Sequence, residues 1–320
     1  MFSHKHFPTF AWGVLAYNIL VVLWGAVVRA TGSGAGCGSH WPLCNSVVVP
    51  NDPQIETLIE LSHRLTSGIA GILVIVLLVW AFHAYPRQHR VRLGAGLSLL
   101  FIITEGLVGA GIVLLRHVAD NPSTARIFSI SGHLVNTFIL LGVLTLTAWW
   151  ASGGAALRLR GQGMVGAMLW LGIVGTLLIG TTGAITALAG TLFPVTSIAQ
   201  GLQQDLSSTA HPAVRLAIVH PLLAVSVGVF LVWMSNWVRM QRPSPVTSRL
   251  AWAMTVMFGL QIVGGLVNVV LHAPVWMQLV HLLMADALWI ILVLLAASAL
   301  ATTPPMPVAA VAPKSALTAQ

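Results

Sequence analysis

Four histidines, His63, His133, His220 and His281, each interrupt a long apolar stretch of a 320-residue chain that is 57% hydrophobic and only 7% charged. Ionisable side chains inside membrane-spanning segments are rare, and those present usually face a bundle interior or a pathway. One such histidine is readily a structural group hydrogen-bonded to a neighbouring helix. Four in matched surroundings point to shared chemistry. Zinc takes four protein ligands in structural sites and three plus water in catalytic ones, more than a pair of histidines offers. A heme iron needs only its axial positions from protein, and its apolar macrocycle suits walls of Leu, Val and Gly. The pattern predicts two heme pockets, one between His63 and His133 and one between His220 and His281.

The elements that must position these residues are apolar helices. A soluble domain carries about 25% charged residues, so the composition is membrane-like and the net charge of +8 is not a nucleic-acid footprint. Apolar runs of the required length of roughly 20 residues recur near 10–28, 59–84, 93–115, 127–151, 164–188, 213–237, 250–271 and 277–300. The first follows Lys5 as a signal peptide would, but it is long and lacks a small-residue cleavage site. The expectation is an all-α polytopic membrane protein with eight transmembrane helices. Arg87, Arg90 and Arg92 follow the second span, Arg158 and Arg160 the fourth, and Arg239, Arg242 and Arg249 the sixth. Connections after odd spans are poorer in positive charge, which puts both termini in the cytoplasm of a cell membrane. His4, His6, His83 and His89 then flank spans on the inner side, and His40, His117, His211 and His272 lie in or beside outer loops. The tail from Thr302 is rich in Pro and Ala, and disorder is expected there.

An internal repeat organises the spans. "WGAVVRATGSG" (24–34) aligns with "TGAITALAG" (182–190), pairing Gly25 with Gly183. Further alignments pair His63 with His220, Glu105 with Gln261 and His133 with His281. Three of these pairs are offset by 156 to 158 residues and the last by 148. Four spans per repeat give both halves the same topology, related by an axis along the membrane normal. The chain reads as two pseudo-symmetric four-helix bundles, 1–151 and 164–301, joined by a cytoplasmic linker at 152–163 and followed by the tail at 302–320. Gly68, Gly71, Gly106, Gly109 and Gly111 would let helices approach closely or leave room for a macrocycle.

The repeat is not symmetric in charge. Glu60 and Arg64 correspond to Ala217 and Pro221, so an acidic group near the first histidine exists in one half only. Its spacing of three sets Glu60 on the same helix face as His63, one turn nearer the outside. A carboxylate there could manage protons or simply pair with Arg64. Glu105 lies near the middle of span three, and its counterpart Gln261 points to a hydrogen-bonding role between helices. Arg29, Arg126 and Arg215 sit at the outer edge, placed either for heme propionates or for interfacial snorkelling. Both cysteines, Cys37 and Cys44, fall in the outer loop after span one, on the side where disulfides persist. Their spacing matches no common zinc motif, so a disulfide is expected, serving as a staple over the first pocket or in redox exchange.

The motifs "GAVVRATGSGAGC…WPLC", "IELSHR", "GHLVNT", "RLAIVHPLLA" and "QLVHLLMADALW", in this order from about residue 12 to 298, resemble the heme A synthase family. The resemblance implies oxidation of the C8 methyl group of heme O to a formyl group, giving heme A for a terminal cytochrome oxidase. It implies substrate heme O between His63 and His133, with Glu60 and those histidines catalytic, and a heme b between His220 and His281. It also implies Arg29, Arg64, Arg126 and Arg215 as cofactor-binding groups, delivery of substrate by a heme O synthase, and an electron partner that the motifs do not name. A homo-oligomer is left open, and the lipid bilayer is the expected surrounding. Some members of the family carry a second cysteine pair between spans five and six, which this chain lacks. A diheme b-type cytochrome passing electrons from quinol shares the four histidines and is the alternative. A prenyltransferase would be expected to show aspartate-rich loops, and the seven acidic residues here are scattered.

Overall fold

The computed structural model describes residues 4–301, and the tail expected at 302–320 lies outside the described residues. Ten α-helices make up the described chain: α1 (Phe7–Ala30), α2 (Ile55–Ala84), α3 (Arg90–Leu114), α4 (Thr124–Ala151), α5 (Gly163–Leu192), α6 (Ile198–Asp205), α7 (Pro212–Ala217), α8 (Val219–Gln241), α9 (Pro245–Val270) and α10 (Val275–Ala299). Among the described residues β-structure is confined to isolated bridges, Cys44 with Val47 and Leu157 with Ala301. Eight segments are long and apolar enough to cross a membrane, α7 and α8 together forming the sixth. The protein is an all-helical, multi-pass membrane protein.

Helix ends follow local chemistry. Ser123 and Ser244 accept backbone N–H bonds at the starts of α4 and α9, the commonest N-cap arrangement. His89 and His211 do the same through ring nitrogens for α3 and α7. Several spans begin three or four residues earlier than their apolar runs, because capping polar residues extend each helix beyond its hydrophobic part.

The sixth span departs from expectation by breaking at Ile218. Pro221 carries no N–H and its ring crowds the carbonyl four residues back. The Ala217 carbonyl is left without its helical donor and is reached instead by the Thr186 hydroxyl at 3.4 Å. The corresponding stretch of α2 has Arg64 in place of the proline and runs unbroken. A second addition is α6, a short helix in the loop expected to be irregular. It is capped by Ser197 and exposes Ile198, Leu202 and Leu206 along one side.

In the first half α1 packs on α2 and α4, α2 on α3, and α3 on α4; in the second, α5 packs on α7, α8 and α10, α8 on α9, and α9 on α10. The halves meet through α1, α4, α5 and α10. One hydrophobic cluster runs through both, from Phe7 and Leu77 to Leu231 and Leu292, so the halves share a core. That core sits towards the arginine-rich end. Towards the other end burial thins: α8, which bears His220, has no buried residue from Val219 to Val227, and α3 has none from Leu99 to Gly109.

Candidate functional site

The four histidines occupy α2, α4, α8 and α10, six to nine residues beyond the start of each span. At 1.5 Å per residue this is about 9–14 Å from the helix ends. His63 and His133 lie within electrostatic reach of each other, as do His220 and His281. Each ring is backed by a glycine on a neighbouring helix. A Cβ added at Gly25 would stand 3.0 Å from His63 Cε1, and one at Gly183 would stand 3.0 Å from His220 Cε1. The same test at Gly109 gives 3.9 Å to His133 and at Gly265 gives 3.2 Å to His281. The glycines come from α1, α3, α5 and α9, and they correspond across the repeat.

Those glycines were only partly legible in sequence. Gly68, Gly71, Gly106 and Gly111, expected to permit close helix approach, face open space with nothing within 4 Å of an added Cβ. Gly109 alone of that set touches a histidine. Helical periodicity locates a glycine on a helix but does not say which neighbour it meets.

Nδ1 of His63, His133 and His281 is buried without a hydrogen-bond partner. Buried polar groups are nearly always satisfied, and exceptions call for an explanation such as an unseen ligand or ion. His220 Nδ1 instead meets the Thr182 hydroxyl at 3.2 Å. Two imidazoles in each half, backed by glycine and with three of the four Nδ1 atoms unpartnered, fit a planar macrocycle whose iron takes nitrogen ligands.

The second histidine of each half has a matched polar neighbour. Glu105 Oε1 lies 3.3 Å from His133 Nδ1, off hydrogen-bond geometry. The carboxylate is held by Thr137 Oγ1 and by Asn136 Nδ2 on α4. Gln261 Nε2 lies 3.3 Å from His281 Nε2. Both residues reach across from the preceding helix, the interhelical role their alignment implied. The first half therefore has a carboxylate beside its second histidine where the other has an amide.

Glu60 is 3% exposed. One carboxylate oxygen accepts the Cys37 N–H at 2.8 Å, and the other accepts Arg64 Nε at 3.1 Å and Nη2 at 2.5 Å. The ion pair with Arg64 that stood as the alternative role for Glu60 is present. Arg64 also donates to the carbonyls of His40 and Leu43, at 2.7 and 2.8 Å. Cys37 and Cys44 form a disulfide whose residues are 0% and 1% exposed. The loop sits hard on α2: a Cβ at Gly36 would meet the Glu56 carbonyl at 2.4 Å, and only glycine fits. Gly34 packs against Val118, which carries the loop over to the α3–α4 connection. Burial of both sulfurs favours the staple, because thiol exchange requires access to a sulfur.

The arginines at this end, Arg29, Arg126 and Arg215, differ in what they meet. Arg29 spans the two halves, donating to the Ala187 carbonyl at 2.8 Å, Thr191 Oγ1 at 2.7 Å and Gln278 Oε1 at 2.7 Å. Arg126, 3% exposed, donates to the carbonyls of Ala119 and Asn121 and fastens the α3–α4 loop. Arg215 is exposed, with no side-chain partner among the described residues. Asp286 escaped notice in the sequence. It is 0% exposed on α10, and neither oxygen has a partner. An acidic residue amid "HLLMADALW" was the available signal.

The described chain is thus an eight-span helical membrane protein with two imidazoles in each half, each backed by a glycine on a neighbouring helix. The pattern of the cytochrome oxidase assembly proteins, COX15-CtaA, matches residues 8–293, and the chain belongs to that family. A Thermus thermophilus protein named protoheme IX farnesyltransferase is 54% identical over 291 residues, which cover 91% of this chain and 48% of that protein. The chain thus spans about half the length of that relative. Proteins named heme A synthase from Halalkalibacterium halodurans and an Exiguobacterium species are 42% and 40% identical, over 39% and 35% of this chain and 42% and 37% of theirs.

Proposed function

We propose that this protein is a heme A synthase, oxidising the C8 methyl group of heme O to a formyl group, with its reaction pocket in the first half. The observation that carries the reading is the asymmetry of a duplicated site. Both halves have paired imidazoles in glycine cradles, yet at the two matched positions the first half has carboxylates and the second has none, Glu60 and Glu105 standing against Ala217 and Gln261. A pocket that only carries electrons has no need of proton-handling groups, whereas converting a methyl to a formyl group breaks C–H bonds and moves protons as well as electrons.

His63 and His133 would hold the substrate's iron from opposite faces, and His220 and His281 would hold a heme b. The bound heme b supplies one-electron redox capacity near the reaction pocket. Glu60 is the carboxylate that would take up protons at the outer rim, held in place by its contacts with Arg64 and Cys37. Glu105, 3.3 Å from His133 Nδ1, would orient that ring once it ligates, the usual part of a carboxylate beside a ligating imidazole. The disulfide loop, pinned by Arg64, keeps water off the outer end of the pocket. Arg215 is the outer arginine available to a propionate, since Arg29, Arg64 and Arg126 are engaged by protein groups.

The Thermus relative's name denotes farnesyl transfer to protoheme IX, the step that would make this substrate. A heme O synthase is accordingly the partner from which heme O would be received. The seven acidic residues here form no aspartate-rich pair to hold a diphosphate, so prenyl transfer itself is not assigned to this stretch. The protein is placed in the cell membrane with its termini cytoplasmic and the disulfide loop outside.

Heme extraction and chromatography test the reading. His63→Ala or His133→Ala should abolish heme A while heme b persists, and His220→Ala or His281→Ala should deplete heme b. Glu60→Ala should accumulate heme O. Purified protein that carries only two tightly held heme b groups would establish the diheme cytochrome instead.

A further inference from the structure

At the end of the molecule opposite the disulfide loop, the α2–α3 elbow forms an open groove of about 450 Å³ that none of the above uses. Arg87, Arg90 and Arg92 stand at its mouth with Gln88 and His89, and Phe82, Leu93 and Leu97 form its lower wall. The Arg92 guanidinium lies 4.0 Å over the centre of the Phe82 ring, which holds the charge against the apolar wall. Burial and the neighbouring His4 push the His89 imidazole below its ordinary value. The positive charge at neutral pH therefore rests on the three arginines.

Among the described residues no carboxylate answers that charge. Of the seven acidic residues, Asp52, Glu56, Glu60, Asp120 and Asp205 lie at the opposite end and Glu105 and Asp286 lie within spans. Charge bias alone accounts for arginines on this face, but it requires neither a groove nor an aromatic shelf beneath them. The vertical profile is also specific. Phe82 and Leu93 are 48% and 50% exposed on the sides of spans, directly below the arginines. A ligand that fits has an anionic head at the membrane surface and a hydrocarbon chain running down beside it.

We propose that the α2–α3 elbow is a binding site for an anionic phospholipid of the arginine-side leaflet, its phosphate held by Arg87, Arg90 and Arg92 and one acyl chain lying along Phe82, Leu93 and Leu97. Arginine suits phosphate because its planar fork donates two parallel hydrogen bonds, and basic pockets between spans on the cytoplasmic side recognise anionic headgroups. The site is independent of the heme chemistry above.

Bound lipid is counted by native mass spectrometry of the full-length protein, delipidated in detergent and titrated with phosphatidylglycerol, phosphatidylcholine of the same chains, or inorganic phosphate. One phosphatidylglycerol per chain should bind with preference over phosphatidylcholine. R87Q/R90Q, whose side chains are exposed, should weaken it at least tenfold, while R158Q/R160Q, which removes equal charge elsewhere on the same face, should leave it within twofold. Equal losses in both variants would reduce the effect to diffuse surface charge and overturn the site. Equal retention of phosphatidylcholine would remove the selectivity for a net anionic headgroup, and inorganic phosphate binding as tightly as the lipid would remove the chain. Either result overturns the assignment. A circular-dichroism melt of each variant separates lost binding from lost fold.

Discussion

Gly183 offers the sharpest test of how the helices hold the imidazoles. In Gly183→Ala the new Cβ would lie 3.0 Å from His220 Cε1 and 3.4 Å from Nδ1. Carbon atoms pack best at about 3.5–4.0 Å, so the ring must retreat or turn. Turning a side chain by roughly 30° off its rotamer costs about 0.5–1.5 kcal/mol, and overpacking a filled site costs about 1–3 kcal/mol. With about 1.4 kcal/mol per factor of ten, heme b affinity in the second pocket should fall on the order of tenfold. The assay is heme titration of purified protein followed by absorbance, with the reduced-minus-oxidised spectrum reporting the axial ligands. Gly25→Ala should act likewise on the first pocket, Gly265→Ala somewhat less at 3.2 Å, and Gly109→Ala hardly at all at 3.9 Å. Gly71→Ala serves as control because its Cβ meets nothing, and it should if anything steady α2, by roughly 0.5–1 kcal/mol. A Gly183→Ala protein indistinguishable from Gly71→Ala in affinity and spectrum would refute the cradle.

Three further outcomes follow from the same contacts. Arg64→Lys keeps the charge but loses the fork that joins Glu60 to the His40 and Leu43 carbonyls, so amide hydrogen exchange across residues 36–44 should accelerate at least tenfold; unchanged protection would show that the disulfide alone docks the loop. Replacing both Cys37 and Cys44 by Ser should lower stability by about 2–3 kcal/mol in the loop-entropy account, read as a lower thermal midpoint with bound heme retained, while a membrane-impermeant phosphine should leave the native wild-type midpoint unchanged. Asp286→Leu removes a fully buried carboxyl that has no partner, and apolar replacement of such groups is near neutral or stabilising. Its thermal midpoint should match or exceed wild type, and a clear fall would reveal a partner or a role for Asp286.

Much of the architecture was legible because membranes impose a simple code. Each span must be a helix that satisfies its own backbone and shows an apolar run of sufficient length, so eight runs became eight spans. The histidines were legible for the same reason, since imidazole in an apolar run stands out and the repeat multiplied the signal. The Pro221 break was present in the letters but passed unread, because tolerance of proline within a span depends on a neighbour such as Thr186.

The composition and repeat of this chain determined its class, its spans, the four imidazoles and the pairing of Cys37 with Cys44. Tertiary structure alone decided which groups those residues meet. It committed Glu60 to Arg64 and the loop, turned Arg29 across to Ala187 and Gln278, brought Glu105 to His133, and chose Gly25, Gly183 and Gly265 over Gly68 and Gly71 as the glycines behind the rings. The physical reason is that hydropathy reports the environment of a helix, which one sequence carries along its length, whereas a contact depends on the rotation and crossing of two helices packed together.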